Sequence, residues 1–151
     1  MNSPANELKP SPVKTELQVG YEAVDFLIHR PFMQYILTQF TLPGFKDLNA
    51  IPSSIASRAQ HALEIGIKHV STVRKLQIVD FFSLKQVLLA TLLVIAALKM
   101  MDEDDMLEKD AMDTLNGATE IFARAAKSSE SAKRALQLLS EIRVSLKVNG
   151  A

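Results

Sequence analysis

The sequence predicts an all-α fold, a bundle of about five mostly antiparallel helices, and three observations carry that expectation. Apolar residues recur at three- and four-residue spacing in several long segments, the period of one helix face. A stretch near 82–101 is apolar nearly all round, as expected of a central helix in a bundle. The breaks between the long segments are short, which favours antiparallel neighbours.

Residues 1–18 hold Pro4, Pro10 and Pro12 among polar side chains with no apolar period, so they read as a flexible leader, and a single helical domain is expected over 19–148. Tyr21, Val24, Phe26, Leu27 and Ile28 give a short helical pattern. Pro31 restricts Arg30 to extended backbone, and the helix is expected to end there. A second apolar patch, Phe32 to Phe40, runs up to Pro43-Gly44. Five of the nine aromatic residues lie between Tyr21 and Phe40.

A loop to about Asn49 leads to Pro52-Ser53-Ser54, where proline suits the first helical position and a hydroxyl can cap the first turn. Ala59, Ala62, Leu63, Gly66, His69, Val70, Val73 and Leu76 then mark an amphipathic helix whose outer face carries Arg58, Glu64, Lys68 and Lys75. Phe82 to Met101 is read as helix because it is rich in Leu and Ala and lacks turn residues. Its most apolar run, the 12 residues Val87 to Leu98, falls short of the roughly 20 that span a bilayer. The acids Asp102 to Asp105 suit a helix N-terminus, and Leu107, Ala111, Leu115, Ala118, Phe122 and Ala125 mark the fourth long helix. After a polar break at Lys127 to Ser131, Ala132, Leu136, Leu139, Ile142 and Leu146 mark the last, ending near Asn149-Gly150.

Charge and composition exclude several chemistries. With no cysteine there is no disulfide, thiolate zinc site or cysteine nucleophile. With 17 basic and 17 acidic residues the formal charge is zero, which disfavours DNA binding by phosphate neutralisation. The balance is local, however: 102–120 carries a net −7 and 121–151 a net +4. The basic last helix is thin in charge and lacks interleaved aromatics. Pairing with its acidic neighbour or plain solvation therefore explains it better than a nucleic-acid face. Residues 1–18 also lack the apolar core of a secretory signal, so no signal is expected.

Little in the sequence points to catalysis or to a metal. His61 and His69 lie eight apart on one helix, about 12 Å of rise, too far to share an ion. There is no His-x-x-x-His or Glu-x-x-His pair, and the 102–105 acids lack the glycine and the terminal glutamate of a calcium loop. No glycine-rich phosphate loop or Gly-x-Ser-x-Gly elbow is present. No catalytic, cofactor-binding or metal-ligating residue is therefore expected, and the chain is not expected to be an enzyme. The residues left to carry function are an aromatic patch, Phe26, Phe32, Tyr35 and Phe40, and the methionines Met100 and Met101, as a surface for a partner or ligand.

Ile28-His29-Arg30-Pro31-Phe32 resembles the "LHRPF" signature of the fungal transcription factor regulatory domain, the middle homology region of zinc binuclear cluster regulators. The order of the segments after Phe32 is also similar: an Ala-rich helix from Ser57, a strongly apolar helix, an acidic linker, and a last helix opening Ser131-Ala-Lys-Arg-Ala-Leu136. The likeness spans about 21–147, the C-terminal part of that domain, and the family's six-cysteine zinc cluster is absent. It implies a regulatory helical domain acting in the nucleus by binding a protein partner or a small-molecule effector. Self-association is a further expectation, with no cofactor and no direct contact with nucleic acid or membrane. The alternative is a free-standing helical interaction module unrelated to transcription. The His-Arg-Pro-Phe segment itself is expected to be structural, with Arg30 bonding the last carbonyls of a helix and Phe32 packing where the chain turns.

Overall fold

The computed structural model describes residues 12–43, 50–100 and 105–149. Among these there are five helices and no strand: α1 (Pro12–Thr41), α2 (Ser53–Val73), α3 (Phe81–Met100), α4 (Asp105–Ala125) and α5 (Glu130–Asn149). The all-α expectation is met. Met101, the acids 102–104, the Gly44 to Asn49 loop, the Gly150 stop and residues 1–11 of the expected leader lie outside the described residues.

The first helix departs most from expectation. It is one element of 30 residues that opens at Pro12, inside the expected leader, and passes through Pro31 without ending. Proline removes the N–H that would bond the Leu27 carbonyl and crowds that carbonyl, at a cost of roughly 3 kcal/mol. Two features offset this. Pro31 and Leu27 are both exposed, so water can take the freed carbonyl. Buried anchors also stand on both sides of the break, Phe26 before it and Met33 and Ile36 after it. Arg30 therefore sits mid-helix, not among terminal carbonyls.

The helix ends follow ordinary capping chemistry, with two corrections to the expected details. Pro52 is the residue before α2, not its first helical position. Its carbonyl takes the amides of Ile55 and Ala56 at 3.0 Å, and no side chain caps that end. At the start of α3, Asp80 Oδ1 accepts the Ser83 amide at 2.7 Å, and at the start of α5, Ser129 Oγ accepts the Ala132 amide at 3.2 Å. The turn leaving α2 is clamped from α4, where Arg124 donates to the Leu76 and Arg74 carbonyls, each at 2.9 Å.

Cross-contacts set the register. Glu22 meets His69 and Thr72, Asp25 meets His61, and Phe32 meets Arg58, so α1 and α2 run in opposite directions. Val70 meets Gly117, Arg74 pairs with Glu120, and Leu76 meets Arg124, so α2 and α4 run the same way. The core is built from Phe26, Leu63, Val70, Val87, Val94, Leu115, Ile121 and Leu139, drawn from all five helices. By length and composition α3 could cross a membrane, but half of its apolar window is buried inside the protein. It packs on α2 and α4, and more lightly on α1. Arg143 of the basic last helix bonds neutral groups on α4, Asn116 Oδ1 at 2.7 Å and Thr119 Oγ1 at 3.5 Å.

Gly66 lies where α1, α2 and α3 meet. A Cβ there would stand 3.2 Å from Phe26 Cε2 and 3.5 Å from Ala90 Cβ. Mid-helix glycine costs about 1 kcal/mol against alanine, and the closeness of the Phe26 ring is what that cost permits. Gly66→Val should lower unfolding free energy by about 1–3 kcal/mol through overpacking, as measured by urea denaturation.

Candidate functional site

Helix α1 carries three different lines of side chains. Val19, Ala23, Phe26, Met33 and Ile36 are buried and face the core. Gln18, Glu22, Asp25 and His29, spaced four-three-four, form a polar line toward α2. Leu17, Tyr21, Val24, Ile28, Pro31 and Tyr35, also spaced alternately four and three, form a third line that faces solvent. Helical geometry places residues so spaced on one side of the cylinder.

The solvent-facing line is apolar and uncharged. Exposure is 71% at Leu17, 73% at Tyr21, 56% at Val24, 56% at Ile28 and 46% at Tyr35, and Val13 and Leu27 flank it. A run this long is unusual on an isolated soluble surface. Of the aromatic residues expected to form a partner surface, only Tyr35 belongs to it. Phe26 has no exposed surface at all, because it sits on the core line and fills the space above Gly66. Phe32 is half-buried beneath the Arg58 guanidinium, 5.3 Å from its ring centre. Phe40 is about half exposed near the C-terminal end of α1, and Met100 is half-buried against the core, on a different helix from the aromatics.

The polar line holds two clusters at the α1–α2 interface. In the buried one, the Glu22 carboxyl accepts from Gln18 Nε2 at 3.2 Å, Thr72 Oγ1 at 3.1 Å and His69 Nδ1 at 3.4 Å. His69 and Glu22 are almost wholly enclosed. Burial holds the His69 imidazole below its ordinary pKa, because the interior disfavours the charged ring, and the hydrogen bond and negative charge of Glu22 oppose this without overcoming it. The neutral ring donates through Nδ1, and Nε2 is buried with no partner among the described residues.

The second cluster lies one turn further along α1 and is partly open. Asp25 Oδ1 is 2.8 Å from His29 Nδ1, and both carboxylate oxygens are 3.0 Å from His61 Nε2. The two imidazoles meet edge to face with centres 4.3 Å apart. The spacing Asp25-x-x-x-His29 is visible in the sequence, but only the α1–α2 register brings His61 to it. The clefts elsewhere are small or open. An apolar one of about 230 Å³ lies among Phe81, Leu84, Leu88, Phe122 and Ala135, below the roughly 300–1,000 Å³ of a drug-sized ligand site. A wider polar groove of about 420 Å³ runs between α2 and α4 beside Arg74 and Asp113.

Comparison with known proteins found no family model, no curated protein and no solved structure that matches this chain.

Proposed function

We propose that this chain is a non-catalytic helical interaction module, regulatory in the sense that its likeness to the fungal domain implies, that pairs with a second copy through the exposed line of α1. The observation that carries this is the uncharged four-three apolar spacing from Leu17 to Tyr35, on the side of α1 away from its buried face. A seam repeating every 3.5 residues is the pattern that interdigitates with another helix. Most positions flanking the seam are neutral (Val13, Gln18, Gly20, Leu27, Phe32 and Gln34); the charges beside it are Lys14 and Glu16 at its N-terminal end and Asp25, which is held by His29 and His61. An antiparallel symmetric pair keeps the end charges Lys14 and Glu16 away from their own copies, and nothing lies within 4 Å of a Cβ placed at Gly20, where a second helix could approach closely. Ile28 and Pro31 of the Ile28-to-Phe32 segment, which carries the likeness to a transcriptional regulatory domain, lie in this seam, so pairing and that regulatory role would share part of a surface.

Sedimentation velocity tests the proposal. The wild-type chain should dimerise, and the Tyr21→Glu/Ile28→Glu double variant should be monomeric with an unchanged circular dichroism spectrum. Exposed substitutions of this kind alter stability by only about 0.5 kcal/mol. A wild-type monomer at roughly 1 mM, where pairing would be worth less than about 4 kcal/mol, overturns it.

A further inference from the structure

We infer that Asp25, His29 and His61 form a binding site for one divalent transition-metal ion, with Zn2+ the best-matched, and that the ion bridges α1 to α2. The three ligand atoms lie within 4.8 Å of one another and come from two helices, Asp25 and His29 one turn apart on α1 and His61 opposite them on α2. Tetrahedral zinc with bonds of about 2.0–2.1 Å separates neighbouring ligand atoms by about 3.3 Å. The Asp25–His29 and Asp25–His61 separations of 2.8 and 3.0 Å need to open by only a few tenths of an ångström to admit an ion.

Three features distinguish this cluster from an ordinary carboxylate–imidazole hydrogen bond. Two imidazoles converge on a single carboxylate, although one would satisfy it. The His29 Nδ1 atom is shared between that carboxylate and the Asp25 backbone carbonyl at 2.9 Å, so its one hydrogen serves two acceptors. The group is also accessible: the side chains are 17% exposed at Asp25, 20% at His29 and 43% at His61, which leaves an entry path and a fourth coordination position for water. Arg58, the cation one turn before His61, lies over the Phe32 ring, and Glu64, one turn after it, accepts from Gln60 at 3.5 Å. A donor set of two nitrogens and one oxygen without sulfur suits Zn2+ and also admits Co2+, which serves as a spectroscopic probe.

Binding replaces any proton on the ligating nitrogens with the metal, so it releases protons. The site does not depend on pairing through α1, since its side chains face α2. The test uses the full-length chain stripped of metal with chelator. Calorimetric titration with Zn2+ should show one ion per chain and an enthalpy that varies with the buffer's ionisation enthalpy. Cobalt(II) should give the intense visible bands of tetrahedral coordination. Asp25→Asn, His29→Ala and His61→Ala should each weaken Zn2+ binding by more than the roughly 10–100-fold loss typical of residues behind the ligands. Glu64→Gln and Asp113→Asn should leave it unchanged. The proposal is overturned by no saturable binding, by affinity unaltered in His61→Ala, or by a weak octahedral cobalt spectrum in the wild-type chain, the last requiring no variant to fold.

Discussion

Phe26→Ala should lower the unfolding free energy by about 3–5 kcal/mol, with a fall in melting temperature of roughly 6–20 °C. The ring has no exposed surface and lies against the bare backbone of Gly66, with Ala90 just beyond. Neither of these two neighbours has a flexible side chain that could swing into the space, so on this side the cavity would stay open, and the spread among large-to-small substitutions follows how far a site can collapse. Tyr21→Ala makes the comparison sharp. Tyr21 is also an aromatic residue of α1, five positions before Phe26, but it is 73% exposed, and its loss should change stability by no more than about 0.5 kcal/mol. Equal effects from the two, read by urea denaturation, would mean that α1 does not turn Phe26 inward and Tyr21 outward.

That contrast shows where the sequence is legible. Helices α2 to α5 announce themselves because each has a clear period or, in α3, few of the polar residues a surface helix needs. Helix α1 hides its period because it is apolar on two opposite sides: Val19, Phe26 and Met33 face the core, while Leu17, Tyr21, Val24 and Ile28 face solvent. Superposed, the two lines read as short clusters, and Pro31 then looks like the boundary between them. Packing on both sides of Pro31 decides otherwise, and no local signal reports that packing. The expected aromatic patch divides for the same reason, since Phe26 and Tyr35 belong to different faces. In the metal cluster, the Asp25–His29 half is local and visible, whereas His61, 36 residues beyond Asp25, joins only through tertiary register.

Acidification should destabilise the fold through His69. The buried imidazole has a pKa below that of the same residue in the unfolded chain, where the ordinary value is about 6.5. As pH drops below about 6.5 the unfolded state takes up a proton that the folded state resists, so stability is fully present above that pH and is lost progressively below it. The melting temperature should therefore fall between pH 7.5 and 5.5. His69→Gln, whose amide can still donate to Glu22 but does not titrate, should flatten the profile. Glu22→Leu separates packing from polar satisfaction. It keeps most of the volume but leaves the Gln18, Thr72 and His69 donors without their shared acceptor, at a cost of about 1–3 kcal/mol per buried group left unpaired. Thr72 escapes part of this because its hydroxyl can turn to the Lys68 carbonyl at 3.0 Å. His69 has no such second acceptor, so the Glu22→Leu loss should shrink in a Glu22→Leu/His69→Leu double variant, where both partners are gone. Additive losses would mean that Glu22 and His69 do not interact at all.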